Sequence, residues 1–430
     1  MRFIHTADWH LGRLFHTVHL TDDQAYVLDQ FVDLVAEVRP TAVLVAGDVY
    51  DRGVPPPDAV ALLDDVLQRI VRGLKVPVVL IAGNHDSPAR LGFGSRLLAG
   101  EGLHIAGPLP PGGVLTVLLA DDDGPLAVHA VPYADPAVVR DALRSPDGEP
   151  PTIHGHEQAM QALVARAQAA TPDGARSLFV AHAFVAGATT SDSERPLSVG
   201  GAGAVPARVF DGFDYVALGH LHRPQRAGAD ALRYAGSLLT YSFDEVDHHK
   251  SVSIVEIGAP GSGVLQAAAV AAGAAQREGA GSAAGDDPFT VAGPAPSPAA
   301  ARVGVEQVEL SPRRRVRVVE GTLDDVLAAG RAASAAERDD YVCARLLNKG
   351  VLLNAMGRLR EEYPNALHLE FPALQTPAGA PAGVPAAADR SDAEHFAEFY
   401  RYVTDEPLSD AERRAFIEVA DRLERERRDQ

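Results

Sequence analysis

Thr41-Ala42-Val43-Leu44-Val45-Ala46-Gly47-Asp48 is the stretch on which the fold of this chain turns. Its unbroken apolar run, without alternation, reads as a strand buried on both faces. A glycine and a carboxylate follow at its carboxyl end. Working outward, the arrangement recurs four times. Phe3-Ile4 leads to Asp8-Trp9-His10, and Val79-Leu80-Ile81 leads to Gly83-Asn84-His85-Asp86. Phe179-Val180 leads to Ala181-His182, and Val216-Ala217-Leu218 leads to Gly219-His220-Leu221-His222. In α/β sheets, ligands bind in the crevice beyond the strand carboxyl ends. Five strand tips are therefore expected to meet at one point, with glycines 47, 83 and 219 allowing sharp turns.

Helical patterns separate the strands. Thr21 followed by Gln24 reads as a capping box, and Val27, Phe31, Leu34, Val35 and Val38 then recur at helical spacing until Pro40. Val60, Leu63, Leu67, Ile70 and Leu74 mark a second helix. Residues 1–257 thus read as an α/β domain. Residues 258–302, rich in Ala, Gly, Ser and Pro, read as a flexible insertion. Residues 303–372 read as a small α/β unit, with a helix over 323–329 and another near 344–363. A Pro/Ala-rich linker spans 373–390. The tail, 391–430, reads as helical: Phe396, Phe399, Tyr400 and Val403 share one face, and Ser409 with Glu412 forms a capping box before Phe416, Ala420 and Leu423.

The polar residues at the strand tips carry the chemistry. Two divalent ions ~3.5–4 Å apart need a bridging carboxylate and about three further ligands each. Asp48 is the natural bridge. Asp8, His10 and His222 complete one ion, and Asn84, His182 and His220 complete the other. Mixed oxygen and imidazole ligands suit Mn²⁺ and also accept Fe or Zn. Thiolate is absent from the set, which argues against a structural zinc. His85 is left over, placed to protonate a leaving alkoxide. Asp86 is expected to orient a neighbouring imidazole. His5 and His129, inside apolar runs, read as core residues. His16, His19, His154, His156, His248 and His249 lie in polar stretches and read as surface.

Composition bounds the rest. At 430 residues the chain holds two or three domains. No apolar run approaches the ~18–20 residues of a membrane span, and the N-terminus does not read as a signal peptide. The single cysteine, Cys343, excludes an intrachain disulfide and reads as a core residue in a cytoplasmic protein. A formal net charge of −19 argues against a free-standing nucleic-acid binder. It does not exclude a nuclease, because bound divalent ions are large local positive charges. Arg313, Arg314, Arg315 and Arg317 form the one dense basic cluster, open to two readings: a solvated strand edge or a contact for DNA phosphates. No Gly-x-x-x-x-Gly-Lys-Ser/Thr loop is present, so the chain does not couple ATP by itself.

These segments resemble the calcineurin-like metallophosphoesterase superfamily and, within it, the SbcD-type nucleases. The resemblance rests on Met1-Arg-Phe-Ile-His-Thr-Ala-Asp-Trp-His-Leu-Gly12, Ala46-Gly-Asp-Val-Tyr-Asp51, Ala82-Gly-Asn-His-Asp-Ser87 and Tyr215-Val-Ala-Leu-Gly-His-Leu-His-Arg223. Tyr234-Ala-Gly-Ser237 and Ser242-Phe-Asp-Glu245 also match. It is strong over residues 1–257 and looser over 303–370. It implies a metallophosphoesterase β-sandwich flanked by helices, a small α/β DNA-capping domain, and a C-terminal helical tail. It further implies a Mn²⁺-dependent 3′-to-5′ exonuclease and single-strand endonuclease acting on DNA, and a homodimer formed through the nuclease domain. Tail helices would bind the coiled-coil base of an SbcC-type SMC-like ATPase, through residues such as Phe396, Phe399, Tyr400, Phe416 and Leu423. The ligand and acid roles carry over to the eight residues named above. Two departures stand out: the family has Gly-His in the fourth motif, where here it is Ala181-His182, and the Ala/Gly-rich stretch 258–302 looks like an insertion ahead of the cap.

Three other readings compete. Gly47-Asp48-Val49-Tyr50-Asp51-Arg52-Gly53 partly mimics a Ser/Thr protein phosphatase motif, but those enzymes carry Glu where Asp86 stands. Small cyclic-nucleotide or phospholipid phosphodiesterases generally lack so long a C-terminal extension. A non-catalytic scaffold would have lost ligands that this chain keeps.

Overall fold

The computed structural model describes residues 1–144, 151–194, 203–260, 301–348 and 352–372, and in the tail 396–397, 400–401, 406–417 and 419. Residues 261–300 of the expected 258–302 insertion, the linker (373–390), Phe399 and Leu423 lie outside the described residues, and the ends of that insertion are strand residues.

The chain opens with β1 (Arg2–Thr6), the short hairpin β2 (Leu14–Phe15) and β3 (Val18–His19), α1 (Thr21–Val38) and β4 (Ala42–Val45). Next come α2 (Pro57–Leu67), β5 (Val78–Ile81), the short helices α3 (Pro88–Leu91) and α4 (Ser95–Leu98), and β6 (Leu103–Ala106). They are followed by β7 (Leu115–Asp121), β8 (Gly124–Val131), α5 (Pro136–Ala142), α6 (His156–Ala170), β9 (Arg176–His182) and β10 (Tyr215–Gly219). Two short strands, β11 (Gln225–Arg226) and β12 (Leu232–Tyr234), precede β13 (Ser251–Pro260) and β14 (Ala301–Glu309).

These strands form two six-stranded sheets. The first has the order β14-β13-β1-β4-β5-β6, and the second β11-β12-β10-β9-β8-β7. Strands β1, β4, β5 and β6 run parallel, as do β8, β9, β10 and β12. The sheets share a core: Phe3, Leu44 and Val79 of one pack with Val128, Val180 and Ala217 of the other. The opposite face of the second sheet, with Phe179, Ala181, Val216 and Leu218, packs on Met160, Leu163 and Val164 of α6. Strand residues alternate between two buried faces, which is why the sequence shows unbroken apolar runs. The methyl of Ala181 sits in that second core, so the alanine before His182 is accommodated.

Several expectations need correction. Thr21 and Gln24 do not form a capping box, because Gln24 is recruited elsewhere. Its side chain accepts from Gly12 N (3.0 Å) and donates to the carbonyls of Trp9 (3.1 Å) and His10 (2.8 Å), bracing the loop that carries Asp8 and His10. Strand β14, expected to open the second unit, instead pairs antiparallel with β13 and completes the first sheet. The compact units divide between Arg313 and Arg314.

The second unit holds β15 (Val316–Gly321), α7 (Leu323–Ala332), the short α8 (Ala335–Asp339), β16 (Tyr341–Leu346), α9 (Ala355–Glu362) and β17 (Ala366–Glu370). Its three strands are parallel, in the order β15-β16-β17. Leu323, Leu327 and Leu359 of the helices pack on Val342, Ala344 and Leu346. The helix expected near 344–363 is thus a strand followed by a shorter helix; Val342-Cys343-Ala344 is a buried central strand. Cys343 is buried there, as expected.

His5 and His129 are core residues. The nitrogens of His5 meet Tyr215 Oη (3.0 Å) and the Leu218 carbonyl (3.1 Å), and its burial pushes the imidazole down to about 3. The unfolded chain binds a proton there near 6.5 and the folded chain does not. Stability from this group is therefore full above pH 6.5 and lost as pH falls toward 3, a loss on the order of 3–5 kcal/mol. Denaturant midpoints measured in chelator from pH 7 to 4 should fall more steeply for the native chain than for His5→Asn. Parallel curves would show that His5 does not carry the effect.

Candidate metal centre

All five tips come together where the two sheets end. Asp8 and His10 follow β1, Asp48 follows β4, and Asn84 and His85 follow β5, three neighbouring strands of the first sheet. His182 ends β9 and His220 follows β10, neighbours in the second sheet, with Gly219 in register with His182. The backbone at these tips is constrained. Asp8, His10, Asp48 and His220 all have positive φ (54°, 46°, 48° and 109°). Such non-glycine conformations persist only where the surroundings over-determine them. The three glycines do not act alike. Gly47, at φ 92°, makes the turn. Gly83 and Gly219 instead permit close approach: a Cβ would lie 2.1 Å from Asp48 Oδ1 at the first and 1.9 Å from the Ala46 carbonyl at the second.

Asp48 Oδ2 sits between the expected ligand groups. It is 3.7 Å from His10 Nε2 and 3.5 Å from His182 Nε2. On one side His10 Nε2 faces His222 Nε2 at 3.1 Å, with Asp8 alongside. On the other, Asn84 Oδ1 lies 2.8 Å from His182 Nε2 and 3.2 Å from His220 Nδ1. All these side chains except Asn84 are buried, and Asn84 is partly so.

The donor set fits divalent cations. His182 Nδ1 donates to the Ala46 carbonyl (2.9 Å), which in the neutral ring leaves a lone pair on Nε2 facing two oxygens. Lone pairs converging on one point require a positive charge between them, whether proton or metal. The charges agree. Burial alone would push the Asp48 carboxyl up, but the surrounding imidazoles of His182, His10 and His85 together hold Asp48 well below its ordinary value. Burial would likewise lower His182, yet Asp48 raises it to about 9. Burial pushes Asp8 well up, and lowers His10 to about 4 and His220 and His222 below the ordinary imidazole.

His85 stands beside the expected ligands: its ring is edge-on to His10 at 4.6 Å, and with His10 and Asp51 it forms a further group that could hold a metal ion. Its Nδ1 donates to the Asp51 carbonyl (2.8 Å), and its Nε2 is 3.9 Å from Asp48 Oδ2. Its backbone N–H donates to Asp48 Oδ1 at 2.8 Å. Among the described residues, Asp86 reaches no imidazole. Its carboxylate accepts from the backbone N–H groups of Gly83 (2.9 Å), Val49 (3.1 Å) and Tyr50 (2.9 Å), clamping the Asp48 turn to the Asn84 turn. The local reason is proximity: three unpaired turn amides surround it. Burial first, and then Asp48, push this carboxyl up to about 7.

Sequence reading missed two acidic residues. Asp51 Oδ1 lies 3.5 Å from His10 Nδ1 and pairs with Arg13 at 2.9 Å. Glu245 Oε1 lies 2.9 Å from His222 Nδ1, and its Oε2 pairs with Lys250 at 2.6 Å. Asp51 belongs to the quoted second motif and Glu245 to Ser242-Phe-Asp-Glu245, but no spacing marks either as part of a site.

Of the residues expected to meet DNA and a partner, Arg313 ends the first unit and the others fall in the second. Arg314 pairs with Asp339 (3.0 Å), and Arg317 lies 3.6 Å from Asp340, while Arg313 and Arg315 are exposed. In the tail Phe396 stacks on Phe416, centroids 4.1 Å apart, and the Tyr400 hydroxyl donates to Glu412 at 2.7 Å. Ser409 and Glu412 form the expected capping box.

The strand-tip cluster groups side chains that could hold divalent metal, and a family match makes the chain a metal-dependent phosphoester hydrolase. Residues 1–224 match the family described as calcineurin-like phosphoesterase, and the chain belongs to that family. Residues 312–404 match the SbcD C-terminal family, described as type 5 capsule protein repressor C-terminal domain. A dimetal phosphatase from Danio rerio is similar at 15% identity and TM-score 0.36, covering 59% of this chain and 94% of its own. The protein TT1561 of Thermus thermophilus is similar at 14% identity and TM-score 0.34, covering 59% of this chain and 92% of its own. No helix among the described residues is long and apolar enough to cross a membrane.

Proposed function

We propose that this chain is the Mn²⁺-dependent DNA nuclease subunit of an SbcCD-type complex. It would act as a 3′-to-5′ double-strand exonuclease and a single-strand endonuclease on DNA ends and hairpins, near the nucleoid. The observation that carries the hydrolytic reading is the position of Asp48 Oδ2, shared between His10 and His182 and faced by His85. The SbcD-type match over 312–404 supports DNA as the substrate and an SMC-like ATPase as the partner.

In this reading Asp48 bridges, Asp8, His10 and His222 hold one ion, and Asn84, His182 and His220 hold the other. When bound, such ions supply an activated water and neutralise charge on the phosphoryl oxygens. The chain's own part is to orient and to move one proton. The Asp51 carbonyl fixes the proton on His85 Nδ1, so Nε2 faces the reacting group. Protonated there, His85 gives that proton to the leaving alkoxide as the phosphorus–oxygen bond breaks. Arg313 and Arg315 are free to meet phosphates, while Arg314 and Arg317 are held by Asp339 and Asp340.

The proposed homodimer is supported by an apolar surface beside the second and third motifs. Phe93 and Leu97 are 86% and 83% exposed. Near them a groove of about 400 Å³ is lined by Val54, Pro55, Val60, Leu63 and Leu91. Exposed patches of this kind mark interaction sites.

A plasmid-relaxation assay with Mn²⁺, set against hydrolysis of a phosphopeptide, tests the substrate class. Nicking without dephosphorylation is expected, and the reverse would replace the nuclease reading with a phosphatase.

The 391–430 tail is proposed to dock the ATPase. Short amphipathic helices are marginal alone and need a surface for their stripe. Ending the chain after Pro372 should leave Mn²⁺-dependent cleavage of single-stranded DNA nearly intact. It should abolish co-purification with SbcC and ATP-dependent degradation of duplex ends. Unchanged affinity for SbcC would remove the tail from the docking role.

A further inference from the structure

His222 is held more elaborately than any other histidine of the cluster. Its N–H donates to Glu194 Oε1 at 2.7 Å. Its carbonyl accepts from Lys250 Nζ at 3.0 Å. Its Nδ1 lies 2.9 Å from Glu245 Oε1 and 2.6 Å from Ser193 Oγ, and Ser193 also bonds that Glu245 oxygen. Lys250 Nζ then donates to Glu245 Oε2 (2.6 Å) and Ser237 Oγ (2.9 Å). Glu245 is wholly buried and Lys250 is 8% exposed.

A buried ion pair of this sort is weak grounds for stability, because desolvation cancels most of its attraction. Its geometry points to another use. An ionised carboxylate only accepts hydrogen bonds, so Glu245 fixes the imidazole proton of His222 on Nδ1. The Nε2 lone pair is thereby turned toward His10 Nε2, 3.1 Å away. His182, in contrast, gives its Nδ1 proton to a neutral carbonyl. A carboxylate behind a ligating histidine fixes its tautomer and raises its basicity.

We infer that Glu245, kept in place by Lys250, is the positioning residue that makes the Asp8–His10–His222 site the tighter of the two metal sites. This inference rests on the metal-centre reading above. It concerns binding rather than turnover, and Trp9 provides the readout. This sole tryptophan is buried between the ligands Asp8 and His10, so Mn²⁺ arriving there should quench its fluorescence.

The experiment is Mn²⁺ titration of the full-length, metal-stripped chain, by calorimetry for both ions and by Trp9 fluorescence for the first. In the native chain Trp9 should be quenched during the tighter of two binding events. Glu245→Gln should weaken that event by about 10–100-fold and leave the other unchanged. Lys250→Met should weaken it similarly. The neutral pair Glu245→Gln with Lys250→Met, which buries no charge, keeps the test open if a single variant does not fold. Its loss should match that of Glu245→Gln alone rather than the sum of the two. Native-like affinity in Glu245→Gln or in the double variant would overturn the inference while leaving the metal centre standing. Equal weakening of both ions would also overturn it, as that is the mark of a general structural defect. A native chain that takes up no Mn²⁺ would overturn the metal-centre reading, and this inference with it.

Discussion

His85→Ala is expected to bind two Mn²⁺ ions per chain and to lose about 10²–10⁴-fold in phosphodiester cleavage, the contribution of a positioned general acid. The geometry separates the two properties. What His85 gives to Asp48 is a backbone hydrogen bond, 2.8 Å from N to Oδ1, and alanine keeps it. What the imidazole gives is Nε2, 3.9 Å from Asp48 Oδ2, with Nδ1 committed to the Asp51 carbonyl. The ring also stands edge-on to His10 at a centroid distance of 4.6 Å, so a modest loss of order there is expected. Elemental analysis counts the ions, and single-turnover cleavage measures the rate. A further comparison isolates the proton: a phosphodiester with a nitrophenolate leaving group needs little protonation, so the defect should shrink on it. A variant empty of metal would make His85 a ligand. An equal defect on both substrates would assign it to positioning.

Asp48→Ala should empty both sites, whereas Asp8→Ala or Asn84→Ala should mainly weaken one. Among the described residues, Asp48 presents one oxygen to histidines of both groups, at 3.7 Å and 3.5 Å. Asp48→Asn separates charge from shape, since the amide oxygen can still accept from His85 N–H. It too should lose both ions, because the carboxylate charge is what a divalent pair shares. Calorimetric Mn²⁺ titration of the four variants decides the matter, and loss of a single ion in Asp48→Ala would count against the bridge. The same titration carries a pH test. Asp48 raises His182 to about 9, so at neutral pH a proton occupies the ring that a cation must take. Uptake then releases a proton, and affinity should fall about tenfold for each pH unit below 9 from this group alone. A flat pH profile would show that no proton leaves His182 when metal is taken up.

How much was legible in advance differs by residue. The apolar runs of residues 42–46 and 178–180 announced strands buried on both faces, because a strand between two layers has no polar side to show. The placement of Asp8, Asp48, Asn84, His182 and His220 at strand ends followed from the same runs, since a ligand after a strand can only sit at its tip. Local sequence was a poorer guide where a side chain had a distant partner. Gln24 looked like part of a capping box, but the carbonyls of the loop that carries Asp8 and His10 claimed it. Asp86 looked like a partner for an imidazole, but three turn amides lay closer. Residues 303–310 looked like the start of a second unit, but their partner strand belonged to the first sheet.

The amino-acid sequence by itself determined the strand-and-helix alternation, the layered α/β class and the inventory of groups able to hold two ions. These are local properties, set by side-chain periodicity and by which residues follow each strand. Only the tertiary structure decided which groups face one another. It placed Asp48 between His10 and His182, set His85 Nε2 at 3.9 Å from the same Asp48 oxygen, and set Glu245 and Lys250 behind His222. Such pairings join residues from distant parts of the chain, and no local pattern records them. They are fixed by the order in which the strands are laid side by side, and so they exist only once the two sheets have closed on each other.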